Sequence, residues 1–418
     1  MRIVCITYFS WPPDFGGELL VNMDRLRTFA KRGHSVVALS RRVPGSSRTA
    51  KDGGICIRRC PVAGDGIAAR VAYVLWAAFM LLRMRFDVMH VCSTPGVHMP
   101  ARVFAVSVFT SIAKLHGART VSVVSLADSE SNAWHLDGRT GFFRTLYYRN
   151  IDRIVAVSPA LFRALKRWRP GKAVLITCSA RDDQFVPMSQ EERRLARKEL
   201  GIRDSAVVFI TIGSVGVRKG HDVLARAFGS LAAKHPDWCL MLVGPMSREE
   251  GCHTAADEMA EMMAPLKPFE SQVRRIGRVD DRTQIRRLLG VSDIFVFPTR
   301  REGMPIAPME AMAMGLPVIV SRITDVTDVA CVEQETGFFV PVGDAEALAQ
   351  AMERLGSDAG LRAKFGGQAR QRIEDELSWE QHMQRWEDLY SRADGDGEED
   401  FEGIKNSENR SQGLSGSK

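Results

Sequence analysis

The feature that most constrains the fold is a rhythm. Short β-branched runs alternate with longer stretches of helical period, and Gly or Pro stands between them. Ile3–Tyr8, Ser35–Ser40, Asp87–Cys92 and Thr120–Ser125 carry the rhythm in the first half. Ala206–Ile212, Cys239–Gly244, Val273–Gly277, Ile294–Pro298 and Pro317–Val320 repeat it after the polar stretch Met188–Asp204. Such βαβα alternation predicts parallel sheets covered by helices. At 418 residues the chain exceeds one ordinary domain. Two α/β units in tandem are therefore expected, over 1–182 and 206–376, with a linker at 183–205. Ligands in such folds lie beyond the carboxyl ends of the strands, so two facing units make a cleft. Ser378-Trp379-Glu380 opens a last helix, 377–392, expected to pack back on the first unit. From Ala393 the composition turns acidic and Gly-rich, then polar. That tail, 393–418, has too little apolar content to offset its ordering entropy and is expected to be disordered.

Charge is divided unevenly. Residues 1–187 hold 27 Lys and Arg against 12 Asp and Glu, a balance of +15; the remainder holds 30 against 38, a balance of −8. The first half is thus expected to face something anionic. A membrane surface and a lipid pyrophosphate fit; nucleic acid is disfavoured, because no stacking-aromatic and basic motif of a known module occurs. The eight cysteines are scattered, and Cys56 and Cys60, the closest pair, have three residues between them. That spacing points to reduced thiols, with neither a zinc nor a redox centre. Met1-Arg2 runs straight into Ile3-Val4-Cys5-Ile6 without a cleavage site, which predicts a cytoplasmic protein. Ile67–Leu82 is interrupted by Arg70 and is short for a bilayer span; Ala101–Leu115 is similarly apolar. Both are expected as buried core helices, with a membrane-dipping role as the alternative.

The sharpest segment is REGMPIAPMEAMAMGLPVIVS, residues 301–321. Pro298 ends an apolar strand, a polar loop follows, and a helix starts between Pro305 and Pro308, where a missing proline N–H costs nothing. Gly315 and Pro317 end that helix. Glu302 then lies in a loop at the carboxyl end of a strand, and Glu310 lies eight residues on, in an early helical turn. The helix N-terminus between them offers free N–H groups and a positive dipole end, which suits a diphosphate. A carboxylate beyond the phosphates can bind ribose hydroxyls.

This string resembles the E-x7-E motif of the large family of retaining glycosyltransferases with the GT-B fold, two Rossmann-like domains facing across a cleft. The matching residues are Glu302, Gly303, Glu310-Ala311-Met312-Ala313 and Gly315-Leu316-Pro317-Val318-Ile319. The resemblance implies that Glu302 contacts the donor sugar and Glu310 the ribose. It also implies that the amides of Gly303, Met304, Ile306 and Ala307 hold the diphosphate. Pro305 has no amide to give.

Other segments agree over roughly residues 1–391. Pro12 to Gly17 resembles the family's N-terminal glycine loop, with Gly16 and Gly17 admitting the backbone close to phosphate. Gly213 through Lys219-Gly220 resembles its phosphate clamp, with Lys219 as a point charge on phosphate. Arg275 to Val279, including Arg278, resembles the loop that touches the nucleobase. Asp87-Val88-Met89-His90 and Thr336 to Pro341, followed by Gly343-Asp344, match two further segments. Three positions depart. Ser214 stands where the clamp has an arginine, and Arg218 is the candidate substitute. Ala127-Asp128 stands where the first domain has a histidine-aspartate pair, and Cys178-Ser179-Ala180-Arg181 replaces an Asn-Gly turn.

The resemblance implies a transferase that moves a hexose from a nucleotide-diphosphate sugar to a hydroxyl of a glycan or lipid-linked acceptor. It implies no divalent metal and no cofactor beyond that donor. A non-catalytic nucleotide-sugar-binding protein of the same fold is the alternative raised by Ser214 and Ala127.

Overall fold

The computed structural model describes residues 1–10, 17–92, 100–124, 142–247 and 250–391. The expected disordered tail, the glycine loop up to Gly16 and the Ala127-Asp128 position lie outside them. Two sheets organise the chain. The first contains β1 (Arg2–Ser10), β2 (Ser35–Arg42), β3 (Thr49–Asp52), β4 (Ile55–Ala63), β5 (Val88–Val91), β6 (Arg119–Val124), β7 (Arg153–Ala156) and β8 (Ala173–Leu175). Their order is β3-β4-β2-β1-β5-β6-β7-β8, parallel except for the β3/β4 pair. The second contains β9 (Val207–Ile212), β10 (Trp238–Val243), β11 (Val273–Gly277), β12 (Ile294–Phe297), β13 (Val318–Ser321) and β14 (Gly337–Val340). Their order is β11-β10-β9-β12-β13-β14, parallel throughout.

The central strands are buried on both faces, as helix-covered parallel strands must be. Every residue of β10, β12 and β13 is buried. This explains why the sequence shows them as unbroken apolar runs. The strand order reverses between β1 and β5 in one sheet and between β9 and β12 in the other. A ligand crevice opens at the carboxyl ends of such reversals.

Several elements differ from the sequence reading. The β3/β4 hairpin turns on Gly53-Gly54, both at positive φ (54° and 92°). That is the backbone a two-residue hairpin loop requires. β7, β8 and β14 run only four, three and four residues, too short to show a period. The stretch 183–205 also contains a helix, Gln190–Glu199, so the connection is not a bare linker. It starts on a capping box, with Ser189 Oγ accepting from Glu192 N and Glu192 returning the bond. Arg193 and Arg197 pin it to Asp293 at 2.7 and 3.0 Å.

The last helix, Trp379–Ser391, packs back on the first unit. Arg32 pairs with Glu380 and Glu387 at 2.6 and 2.9 Å, and Trp379 Nε1 donates to Thr28 Oγ1 at 3.2 Å. Tyr390 stacks on Phe29 with ring centroids 5.0 Å apart and shares a hydrogen bond with His90 Nδ1 at 2.8 Å. Burial and the charge of Arg25 hold His90 well below its ordinary pKa, hence neutral. Trp386 is fully buried and carries the Arg25 guanidinium 3.6 Å from its ring centre.

The two apolar stretches form the helices Ile67–Arg83 and Pro100–Leu115. The first corrects the expectation of a helix buried in the core. Ala69, Tyr73, Ala77 and Leu81 face inward, but Ile67, Val71, Leu75, Phe79 and Leu82 form an exposed apolar stripe. No helix among the described residues is long and apolar enough to cross a membrane.

The docking of the final helix generates a prediction. Trp386→Ala is expected to destabilise the first unit by about 3–5 kcal/mol, the usual cost of emptying a buried tryptophan site. Urea unfolding followed by far-UV circular dichroism measures it.

Candidate active site

Two loops meet at the carboxyl ends of β9 and β12. The first leaves β9 at Gly213, makes a 3-10 turn over Val217–Lys219 and enters the helix His221–Ala232 through Gly220. Gly220 sits at φ 73°, and a Cβ there would fall 1.8 Å from the carbonyl oxygen of Pro298. Only glycine lets the clamp lie flat against the end of β12. His221 braces the turn through Nδ1, 3.3 Å from both the N and the O of Gly216. Burial pulls its pKa down to about 4, so it is neutral near pH 7.

The second loop, 298–305, is stapled to the first. Arg300 N donates to Arg218 O at 2.8 Å, Thr299 Oγ1 donates to the same oxygen at 3.2 Å, and Arg218 Nη1 donates to Arg301 O at 3.1 Å. The Arg300 guanidinium bonds both oxygens of Asp222 at 2.6 and 2.7 Å. Burial pushes Asp222 up, but Arg300 outweighs it and leaves the carboxyl below its usual range.

Glu302 stands at the junction with its side chain 9% exposed. Its Oε1 accepts from Lys219 Nζ at 2.6 Å, from Thr299 Oγ1 at 2.9 Å and from Arg218 Nη1 at 3.2 Å. Among the described residues Oε2 has no hydrogen-bond partner. Lys219 also lies 4.8 Å from the ring centre of Phe297. Burial pulls the Lys219 pKa below its ordinary value; Glu302 opposes that, and Arg218 adds to it. A cation so desolvated needs an anionic companion.

Beyond Glu302 the helix Ile306–Ala313 begins, with Pro305 as its N-cap. The backbone N–H groups of Gly303, Met304, Ile306 and Ala307 are spent on no acceptor among the described residues. Unspent amides at a helix N-terminus form an anion cradle. Glu310 follows one turn in, buried at 4% exposure, with Oε1 bonded to Arg282 Nη2.

The structure thus brings together Lys219, Arg218, Glu302 and the four amides, with Glu310 farther along the same helix. Arg218, which the departure at Ser214 singled out, does reach the oxygen that Lys219 holds. Arg278 follows β11, and its guanidinium is taken by Asp280, at 2.8 Å. Gly17 opens the helix Gly17–Lys31, while Gly16 lies outside the described residues. Sequence reading missed Thr299, Arg300 with Asp222, and Arg282. Thr299 was within reach, three residues before Glu302. Arg282 lies 28 residues from Glu310, with no pattern to join them.

Comparison with known proteins places this geometry. The family of glycosyl transferases group 1 matches residues 192–372, and the glycosyl transferase 4-like domain matches residues 23–179. The chain is 29% identical over 204 residues to a GDP-mannose-dependent monoacylated alpha-(1-6)-phosphatidylinositol monomannoside mannosyltransferase of Corynebacterium glutamicum, covering 47% of this chain and 50% of that protein. It is 28% identical over 242 residues to the capsular polysaccharide biosynthesis glycosyltransferase CapM of Staphylococcus aureus, covering 57% of this chain and 61% of that one. The matches therefore span about half to three-fifths of these relatives' length. A sucrose-phosphate synthase from Thermosynechococcus elongatus has the same fold, with a TM-score of 0.73 at 20% identity, over 93% of this chain and 98% of that one. Both halves matched in order, on the two-sheet GT-B architecture, mean that the chain belongs to the group 1 glycosyltransferases.

Proposed function

We propose that the protein is a retaining glycosyltransferase that moves a hexose from a nucleoside-diphosphate donor to a hydroxyl of a glycan or lipid-linked acceptor. Cell-envelope or exopolysaccharide synthesis is the setting the relatives' names suggest. The observation that carries the reading is one cluster: two cations on a largely desolvated carboxylate at the head of a helix with four unspent amides. A nucleoside diphosphate leaves readily once its charge is neutralised, so positioning and electrostatics supply most of the catalysis. Lys219, Arg218 and the four amides would carry the diphosphate, without a divalent cation. Phosphate oxygens would take over Lys219 from Glu302, and Glu302 would turn its acceptor oxygens to the sugar hydroxyls. Glu310 would hold the ribose. The departing phosphate oxygen would take the acceptor's proton.

A panel of nucleotide sugars, read by thermal stabilisation and slow donor hydrolysis, tests this reading. One donor is expected to stabilise the protein and to turn over; no response to any would overturn it. Lys219→Ala is expected nearly to abolish transfer, and Arg218→Ala to reduce it substantially. Glu310→Ala should weaken nucleoside-diphosphate binding by about 1–3 kcal/mol, the cost of lost charged hydrogen bonds, while Glu302→Ala should chiefly lower kcat. A silent Arg218→Ala would leave Lys219 to work alone.

The same reading places the first unit on the anionic inner face of a membrane, where a lipid-linked acceptor would wait. Its support is the +15 balance over residues 1–187 and the exposed stripe Ile67, Val71, Leu75, Phe79 and Leu82. Arg70, Arg83 and Arg85 on and just after that helix are exposed. Interfacial binding needs both apolar contact and attraction to anionic lipid. Each basic residue near such a surface contributes about 1 kcal/mol, fading within a Debye length. Co-sedimentation with anionic vesicles is expected at low salt, with loss at high salt and loss in Leu75→Asp/Phe79→Asp. Equal binding to neutral vesicles, or none to anionic ones, would remove the membrane claim and leave the transferase claim standing.

A further inference from the structure

Glu310 has one hydrogen-bonded side-chain partner among the described residues, Arg282. The pair spans two helices: Arg282 is the first residue of Arg282–Gly290, and Glu310 lies within Ile306–Ala313. Arg282 is itself held from several sides. Asp281 caps its helix by accepting from Thr283 N at 2.8 Å, and the guanidinium lies 4.7 Å from the ring centre of Phe185. Burial works against its charge, but Glu310, and Asp24 from the helix Gly17–Lys31, outweigh the burial and keep its pKa raised.

A buried ion pair is weak evidence for stability, because desolvation can exceed the attraction between the charges. What a guanidinium does supply is a directed, charge-assisted hydrogen bond from a rigid planar group; here Nη2 of Arg282 holds one oxygen of the Glu310 carboxylate in place and leaves the other to a ligand. A ribose offers a vicinal diol, and reading both hydroxyls requires a carboxylate fixed in orientation rather than free to rotate. Glu310 has acceptor capacity to spare, since a carboxylate offers about four lone-pair sites and Arg282 engages Oε1 alone.

We propose that Arg282 is the positioning residue for ribose recognition: it fixes the Glu310 carboxylate in the orientation that reads the two hydroxyls of the donor's ribose. The inference rests on the reading of Glu310 as the ribose ligand. Arg282 touches neither phosphate nor sugar in this scheme and acts through Glu310.

Titration calorimetry on the full chain tests it with three probes. These are UDP or GDP, whichever binds the wild type; its 2′,3′-dideoxy counterpart; and pyrophosphate. In Arg282→Met, affinity for the ribonucleotide is expected to fall roughly tenfold, as loss of a charged hydrogen bond implies. Affinities for the dideoxy counterpart and for pyrophosphate should hold. Arg282→Lys keeps the charge without the planar group and is expected to recover part of the ribose preference; it carries the test alone if the methionine variant fails to fold. An equal loss for all three probes would assign Arg282 to structure only and overturn the proposal. So would an unchanged ribose preference in the variants. A wild type that binds both nucleotides equally overturns the Glu310 assignment and this inference with it, while one that binds no nucleoside diphosphate, UDP and GDP included, overturns the function reading first.

Discussion

Lys219 and Glu302, separated by 83 residues, meet at 2.6 Å, and the architecture of the second unit serves that meeting. Each charge is costly to bury alone, and together they are tolerable only with good geometry and further hydrogen bonds. Thr299 and Arg218 supply those bonds on the same oxygen. The adjacent positions of β9 and β12 in the sheet bring the two loops together. Gly220 lets them approach, because any side chain there would collide with Pro298. The pair also balances charge at the head of the helix Ile306–Ala313. Two cations and four amide dipoles of one sign would repel one another without an anion, and Glu302 supplies one.

What was legible in the sequence follows from burial. Strands covered by helices on both faces must be apolar throughout, so β9, β10, β12 and β13 appeared as runs. The Glu302–Glu310 spacing was legible because both carboxylates sit on one continuous segment, where strand end, loop and helix start each leave a residue signature. Arg282 was not legible, because its partner comes from another helix and nothing in a linear string marks a pair formed across a packed interface. The β3/β4 hairpin was missed although Asp52-Gly53-Gly54 is a turn signal, because β3 runs only four residues and is half exposed. The capping box of Ser189 and Glu192 was written plainly, yet the polar composition around it read as linker.

The helix Ile67–Arg83 shows a different limit. Its inward positions, Ala69, Tyr73, Ala77 and Leu81, and its outward positions, Ile67, Val71, Leu75 and Phe79, both recur every four residues. Both stripes are apolar, so hydropathy cannot tell which one the sheet takes. What separates them is Tyr73, whose hydroxyl donates to the Thr7 carbonyl at 2.6 Å inside the first unit, and the two alanines beside it. Two alanines on the inner stripe let the helix lie close to the sheet, which leaves the larger Ile67, Leu75 and Phe79 outside. The outer stripe is thus a row of large apolar side chains left in solvent, with the exposed cations Arg70, Arg83 and Arg85 near it.

The same economy of partners governs how the two units are joined. Asp24 of the first unit bonds Arg27 at 3.2 Å and lies 4.0 Å from Arg181, which in turn pairs with Asp183 at 2.6 Å. Arg282 extends this line of alternating charge to Glu310 in the second unit, and Phe185, between the units, stacks beneath it. A largely buried ion pair is costly to break, because the charge left behind has lost its water as well as its partner. The connection combines such pairs with apolar contact. The apolar face of the final helix, centred on Trp386, anchors it to the first unit, while the charges between Asp24 and Glu310 run from the first unit to the second.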